Sequence, residues 1–472
     1  KALEEAVEQY ASLMAGLEDE YMQAREADIR DVGSRILRIL KGKSDEQADL
    51  PPDSVIIARD LTPSDTARLD KERVVAFLTA DGSRTSHSAI MARSLGIPAV
   101  VGLGRDFLKD VDDGAKVIVD GNEGEVFLNP SEDKLKDYRG RLEEFEQEKK
   151  RLAQFKDVKA VTRDGEEIEV AGNIGNIFDV EPLLEQGGEG IGLFRTEFLY
   201  MDREDLPGEE EQFEAYKEVA QAMGDYPVII RTLDIGGDKD LPYLELPQEM
   251  NPFLGYRAIR LCLDQPEIFK PQLRAILRAS HYGNIKLMYP MIATLEEVKE
   301  ANRLLTEIEK ELEEEGIPFD GEMEKGIMIE VPGAVMIADA LAGEVDFFSI
   351  GTNDLIQYTM AVDRGNERIA HLHSPYHPGV LKLIKETIEA GHRNDIWVGM
   401  CGEAAGDELL LPFLLGAGLD EFSMSAGSVL RIKELLGFWT KEEAKEITEK
   451  TLELGTAEEV EKFLKTHKKT EK

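Results

Sequence analysis

The chain has 472 residues, with 56 Lys and Arg against 95 Asp and Glu, a formal net charge of −39. A surface that acidic repels nucleic acid and anionic lipid, so neither is an expected partner. The length exceeds what one ordinary core organises and calls for two or three domains, one of them large enough for an α/β barrel. Two cysteines, Cys262 and Cys401, cannot make a disulfide framework. The longest apolar run, 409–419, is broken by Pro412 and falls far short of the roughly 20 residues that cross a bilayer. A cytoplasmic protein without signal peptide or membrane insertion is expected.

Leu3, Val7, Tyr10, Met14, Leu17 and Tyr21 recur at steps of four and three, the stripe of a helix, and Ile29, Val32, Ile36 and Leu40 continue a similar one. Two such stripes with no other local structure cannot make a domain alone. The chain opens at Lys1 inside this pattern, so residues 1–42 are expected to be part of a larger helical segment, cut at its N-terminus. Across 43–130 the pattern changes to short β-rich runs at 55–58, 74–78, 99–102, 116–120 and 125–128, which predicts a compact α/β domain. Residues 131–158 are mostly charged or helix-forming and read as a linker helix. From 159 to 472 strand candidates at 168–174, 190–198, 227–235, 285–291, 326–331, 345–351, 397–401 and 419–424 alternate with helical stretches. Such a run of βα units predicts a C-terminal TIM (β/α)8 barrel.

Polar residues gather at one end of these strands. Each run is apolar until its C-terminal end, where Asn173, Arg195 with Glu197, Arg231 with Asp234, Glu330, Asn353 with Asp354, and Cys401 with Glu403 stand. Active sites of such barrels are built at that end. Loop capping explains one or two such positions but not a whole rim.

In the smaller domain, His87 follows a strand and a Gly turn, and Ser86 is placed to cap the helix that carries Ile90, Met91 and Leu95. An imidazole at a helix start can accept a phosphoryl group whose charge is met by free backbone N–H groups. On the barrel, Arg195, Arg231, Arg257, Arg364 and Lys239 form a set of cations suited to a small substrate bearing phosphate and carboxylate. Glu330 and Asp354 are hard oxygen ligands of the kind Mg²⁺ uses when it also bridges substrate oxygens. Salt-bridging to the same arginines is the alternative for those two acids. Cys401 sits between glycines at a strand end, and a thiol of ordinary pKa stays protonated at neutral pH and can serve as a general acid. Cys262 has no polar company and reads as core.

The segments Gly-Ser-Arg-Thr-Ser-His (82–87), Gly-Leu-Phe-Arg-Thr-Glu-Phe-Leu (192–199), Arg-Thr-Leu-Asp-Ile-Gly-Gly-Asp-Lys (231–239), Gly-Thr-Asn-Asp-Leu (351–355), Val-Asp-Arg-Gly-Asn (362–366) and Gly-Met-Cys-Gly-Glu (399–403) occur in this order. Together they resemble enzyme I of the bacterial phosphoenolpyruvate-dependent sugar phosphotransferase system. Ser83 stands where that family often has a second Gly. The resemblance implies a swivelling phosphohistidine domain at 43–130 and a phosphoenolpyruvate-binding barrel at 159–472, with 1–42 part of the docking segment for the histidine-containing phosphocarrier protein. It implies that phosphate passes from phosphoenolpyruvate to His87 and on to that carrier, as pyruvate leaves. Arg195, Arg231 and Arg364 would hold the substrate, with Lys239 and Arg257 lining the site and Asn353 and Asp354 touching it. Glu330 and Asp354 would bind Mg²⁺, Cys401 would protonate the enolate carbon, and the barrel would mediate a homodimer.

Two other readings compete. A fragment of a pyruvate phosphate dikinase or phosphoenolpyruvate synthase would share the His domain and barrel, but no Gly-rich phosphate loop or ATP-grasp-sized region is visible. A non-catalytic sensor of phosphoenolpyruvate would be expected to have lost Cys401 or a metal ligand, and both remain. His371, His373 and His377 flank prolines without helical spacing and read as a surface loop rather than a zinc site.

Overall fold

The structure, a computed structural model, describes residues 7, 50–61, 73–82, 92, 97–201, 203, 205–236, 241, 243–244, 246–247, 249–364, 366 and 368–469. The helical stripes of 1–42, apart from Val7, and the expected positions of His87 and Lys239 lie outside the described residues. The chain divides into two compact units, Lys1–Leu142 and Glu143–Lys472.

In the first unit β1 (Ser54–Ala58), β2 (Val74–Thr79) and β3 (Ala99–Val100) form a parallel sheet in that order, with Val55 opposite Ala76 and Phe77 opposite Ala99. The strands are β-branched and aromatic, and Leu61, Val74, Phe77 and Ala92 make their common core. β4 (Val117–Asp120) and β5 (Glu125–Leu128) pair as an antiparallel hairpin, whose turn is pinned by Asp120 Oδ1 accepting from the N–H groups of Asn122 and Glu123. Asp81, just ahead of the His87 segment, receives Arg59 at 2.8 Å and Arg105 at 3.2 Å. Its hydrogen bonds from Arg105 and then Arg59 hold its carboxyl below the usual range.

The expected linker is a helix, Glu132–Leu152, followed by one 3₁₀ turn, Ala153–Phe155. Acids open it and Lys149, Lys150 and Arg151 close it, each sign on the favourable end of the helix dipole. The division between the units falls inside this helix.

In the second unit eight parallel strands close a barrel: β6 (Glu169–Ile174), β7 (Ile191–Arg195), β8 (Val228–Arg231), β9 (Ile285–Tyr289), β10 (Lys325–Ile329), β11 (Phe347–Ile350), β12 (Trp397–Met400) and β13 (Glu421–Met424), with β13 returning to β6. Most strands are shorter than the runs expected from sequence, and Arg195 and Arg231 pair with each other as the last residues of β7 and β8. Leu193, Ile229, Met288, Met328 and Phe347 fill the inside, while a far larger cluster joins the outer strand faces to the surrounding helices. Cys262 lies fully buried in that outer core, as its apolar surroundings in the sequence suggested. The helices begin where the sequence places caps: Thr294 with Glu297, Thr440 with Glu443 and Thr456 with Glu459 each form a reciprocal capping box. No helix among the described residues is long and apolar enough to cross a membrane.

Candidate active site

The C-terminal ends of the strands carry a continuous chain of opposite charges. Arg231 ends β8, and its Nη2 donates to Glu197 Oε1 at 2.6 Å while Nη1 lies 3.1 Å from Asp234 Oδ2. Asp234 Oδ1 also accepts from Arg257 Nη2 at 2.7 Å, and the same Nη2 reaches Asp354 Oδ2 at 3.4 Å. Arg364 Nη1 stands 3.9 Å from Asp354 Oδ1. Burial opposes the charge on Arg231 and Arg257, yet the carboxylates beside them, Glu197 and Asp234 for Arg231 and Asp234 and Asp354 for Arg257, outweigh it and raise both pKa values. Tyr358, one helical turn beyond Asp354, accepts from Arg257 Nη1 at 3.3 Å and donates to the Phe253 carbonyl at 2.6 Å.

Arg195 ends β7 and is exposed by area, yet enough protein surrounds it that desolvation, followed by the Arg231 charge, lowers its pKa. Two like charges are thus held together at the mouth, which favours an anion between them.

Glu330 follows β10 directly, ahead of the short helix Pro332–Met336, and is 2 % exposed. Its Oε1 accepts the Met291 N–H at 2.6 Å, a bond made possible by Met291 standing at φ 57° in the left-handed region. Burial, then the Asp354 and Asp234 carboxylates, push the Glu330 carboxyl up to about 8. Gly351 allows this crowding, since a Cβ there would lie 2.9 Å from Glu330 Oε2. Asp354 sits in the first turn of the helix Thr352–Met360, and its buried Oδ1 has no hydrogen-bond partner. Two carboxylates of mutually unfavourable charge, one with a buried oxygen that accepts no hydrogen bond, fit a divalent cation whose remaining ligands come from substrate and water. Among the described residues no cluster of three or more acids, His or Cys forms a ready-made metal cage.

Cys401 follows β12, and its N–H donates to the Ile350 carbonyl at 3.2 Å. Burial pushes its thiol up to about 11, against a hydrogen bond from Ser349 and the Arg231 charge. Its carbonyl accepts from Asn173 Nδ2 at 2.9 Å, and Ser423 donates to Asn173 Oδ1 at 2.7 Å. Asn353 is tied to Glu403 by two bonds of 3.3 Å, and His373 Nε2 meets its carbonyl at 3.1 Å. His377 caps the helix Pro378–Arg393.

The rim thus brings together Arg231, Arg257, Arg364, Glu330 and Asp354 as one electrostatic network. Arginine pairing, raised from sequence as an alternative role for the two acids, is realised at Asp354. Sequence reasoning did not find Tyr358, the Met291 N–H or Ser349. Tyr358 lies one turn after Asp354 on the same helix face and could have been found by that spacing; a main-chain donor leaves no signal in residue type.

Residues 149–438 match the family described as PEP-utilising enzyme, PEP-binding domain, and residues 50–124 the one described as PEP-utilising enzyme, mobile domain. The chain is 52 % identical over 461 residues to a phosphoenolpyruvate-protein phosphotransferase of Staphylococcus carnosus (strain TM300), covering 98 % of this chain and 80 % of that protein. It is 51 % identical over 466 residues to one of Priestia megaterium, covering 98 % and 81 %. With one of Geobacillus stearothermophilus the identity is 54 % over 465 residues, covering 98 % and 80 %.

Proposed function

The chain belongs to the phosphoenolpyruvate-protein phosphotransferase family, and from that premise we propose which of its residues carry the transfer of phosphate from phosphoenolpyruvate to protein. The observation that supports the assignment most is the pairing of buried Glu330, pushed up to about 8, with Asp354, whose buried Oδ1 accepts no hydrogen bond, beside a row of arginines. In this reading Arg195, Arg231 and Arg364 grip the phosphate and carboxylate, and Lys239 and Arg257 line the site. Asp234 holds Arg231 and Arg257 at fixed spacing by bonding both. Glu330 and Asp354 hold a divalent cation, Mg²⁺, which when bound neutralises charge on the phosphoryl oxygens. Asn353 hydrogen-bonds the substrate, its amide oriented by Glu403.

A ring nitrogen of His87 takes the phosphoryl group; the phosphorus–oxygen bond to the enol breaks, and the enolate of pyruvate remains. The Cys401 thiol, protonated at neutral pH, gives its proton to the enolate carbon. The phosphohistidine then passes its phosphate to the histidine-containing phosphocarrier protein, with residues 1–42 in the docking segment. Domain limits of 43–130 for the phosphohistidine domain, 131–158 for the linker and 159–472 for the barrel, a cytoplasmic location, and a homodimer through the barrel belong to the same proposal.

Incubating the chain with phosphate-labelled phosphoenolpyruvate and Mg²⁺ and mapping the label tests the assignment. Label on His87, lost in His87→Ala, is expected; label retained by that variant would remove His87 from the pathway.

A further inference from the structure

Inside the barrel stands an acid that the chemistry above leaves unused. Glu421 opens β13 and is only 3 % exposed. Strand register sets Ser349, Gly399 and Glu421 side by side on β11, β12 and β13. Cys401 lies two residues beyond Gly399, just past the end of β12, and packs with Leu193, Met328 and Phe347 inside the barrel. The missing side chain at Gly399 opens the space between Glu421 and Cys401: a Cβ there would lie 3.2 Å from Glu421 Oε2. From the other side Ser349 stands in register beside Gly399, and the Cys401 sulfur lies 4.0 Å from the carbonyl of Ile350, the residue after Ser349.

Glu421 also has a route to water. Its register partner on β6 is Glu169, which is exposed and lines a cleft of about 680 Å³ at the N-terminal end of the barrel. The charged groups facing this pair are Lys286 on β9, with Glu189 and Glu324 beside Glu169. Burial, then Glu169, raises the pKa of Glu421, while burial raises that of Glu169; Lys286 opposes both. Burial and the neighbouring carboxyl thus both favour the protonated form of Glu421.

We propose that Glu421 is a positioning residue that resupplies Cys401 with its proton, so that the thiol spent on the substrate carbon is restored through the barrel interior. The inference rests on Cys401 being the donor to that carbon. In the first step the Cys401 S–H bond breaks and a C–H bond forms on the enolate, leaving a thiolate. In the second the Glu421 O–H bond breaks and the S–H bond re-forms, the proton crossing at Gly399 beside Ser349. Glu421 is then reprotonated through Glu169 by water at the N-terminal cleft.

The reverse of the first step gives the assay. The full chain with Mg²⁺ and trideuterated pyruvate is followed by NMR for loss of methyl deuterium, which requires the Cys401 proton to exchange with solvent. E421Q is expected to slow this exchange about tenfold or more at neutral pH without a matching change in the pyruvate KM, and E421D to restore part of the rate. Alkylation by iodoacetamide, read at the Cys401 peptide against pH, should reach its midpoint at lower pH in E421Q, because the thiolate no longer forms beside a second acid. An E421Q protein whose exchange rate and alkylation profile both match the unsubstituted chain overturns the inference. Exchange that persists in C401A overturns the Cys401 reading instead.

Discussion

Removing the ionisable oxygen of Glu330 tests the electrostatics of the site most directly. A carboxyl held at about 8 instead of the ordinary 4.5 corresponds to about 5 kcal/mol of preference for the neutral form in the folded chain. The folded pKa is the higher one, so this contribution to stability is fully present below pH 4.5 and is lost as pH rises through 8. Metal-free protein should therefore lose stability across that window, and Glu330→Gln should flatten the loss. The same proton must leave when a cation binds. At pH 7 the carboxyl is roughly nine-tenths protonated, so calorimetry in buffers of different ionisation enthalpy should find about 0.9 proton released per Mg²⁺ bound, falling to about 0.1 at pH 9. Apparent Mg²⁺ affinity, measured without substrate, should rise about tenfold from pH 6 to 7 and level off above 8. Proton release near zero at pH 7, with affinity independent of pH, would refute both the raised pKa and the role of Glu330 as a ligand.

Other substitutions probe the rest of the network. Glu330→Ala and Asp354→Ala should each abolish metal-dependent phosphoryl transfer while circular dichroism stays that of the parent; Mg²⁺-dependent rates near the parent's in either would remove that residue from the metal site. Asp234→Ala leaves Arg231 and Arg257 short of a shared buried partner and should cost about 3–5 kcal/mol in denaturant unfolding, with a raised KM for phosphoenolpyruvate; a variant as stable as the parent would show that Glu197 and Asp354 suffice. Cys401→Ala should slow pyruvate formation far more than it weakens substrate binding, because a proton donor acts on the developing carbanion. Unchanged turnover with a raised KM would make Cys401 a binding residue.

Much of this was legible in the residues. The barrel showed itself through period and spacing: β11 and β12 are apolar runs that end on Gly351-Thr352-Asn353-Asp354 and Cys401-Gly402-Glu403, so strand limits and rim residues were read from one pattern. Arg231 and Asp234 were visible as rim residues, but a sequence does not say which acid an arginine turns to, and the bridging of Arg231 to Arg257 through Asp234 depends on a loop of irregular backbone. The Met291 N–H that fixes Glu330 was hidden for a deeper reason, since it depends on a backbone angle that Met seldom adopts. Glu421 lay in plain view within Leu-Asp-Glu-Phe-Ser-Met (419–424). Alternation there admits either face, and only the register against Gly399 turns the acid inward.

The row of guanidinium groups at the barrel mouth belongs to a chain whose net charge is −39. An approaching trianion therefore meets two fields of opposite sign, a repulsive one from the whole envelope and an attractive one from Arg195, Arg231, Arg257 and Arg364 close to the mouth. Salt separates them by range, because raising ionic strength from 0.01 to 0.1 M shortens the screening length from about 30 to about 10 Å and quenches the distant field first. Buried Arg231 and Arg257 are screened far less. Encounter with the substrate should accordingly quicken as salt is added over this range, the reverse of ordinary electrostatic steering, which stopped-flow association rates at 0.01 and 0.1 M ionic strength would check.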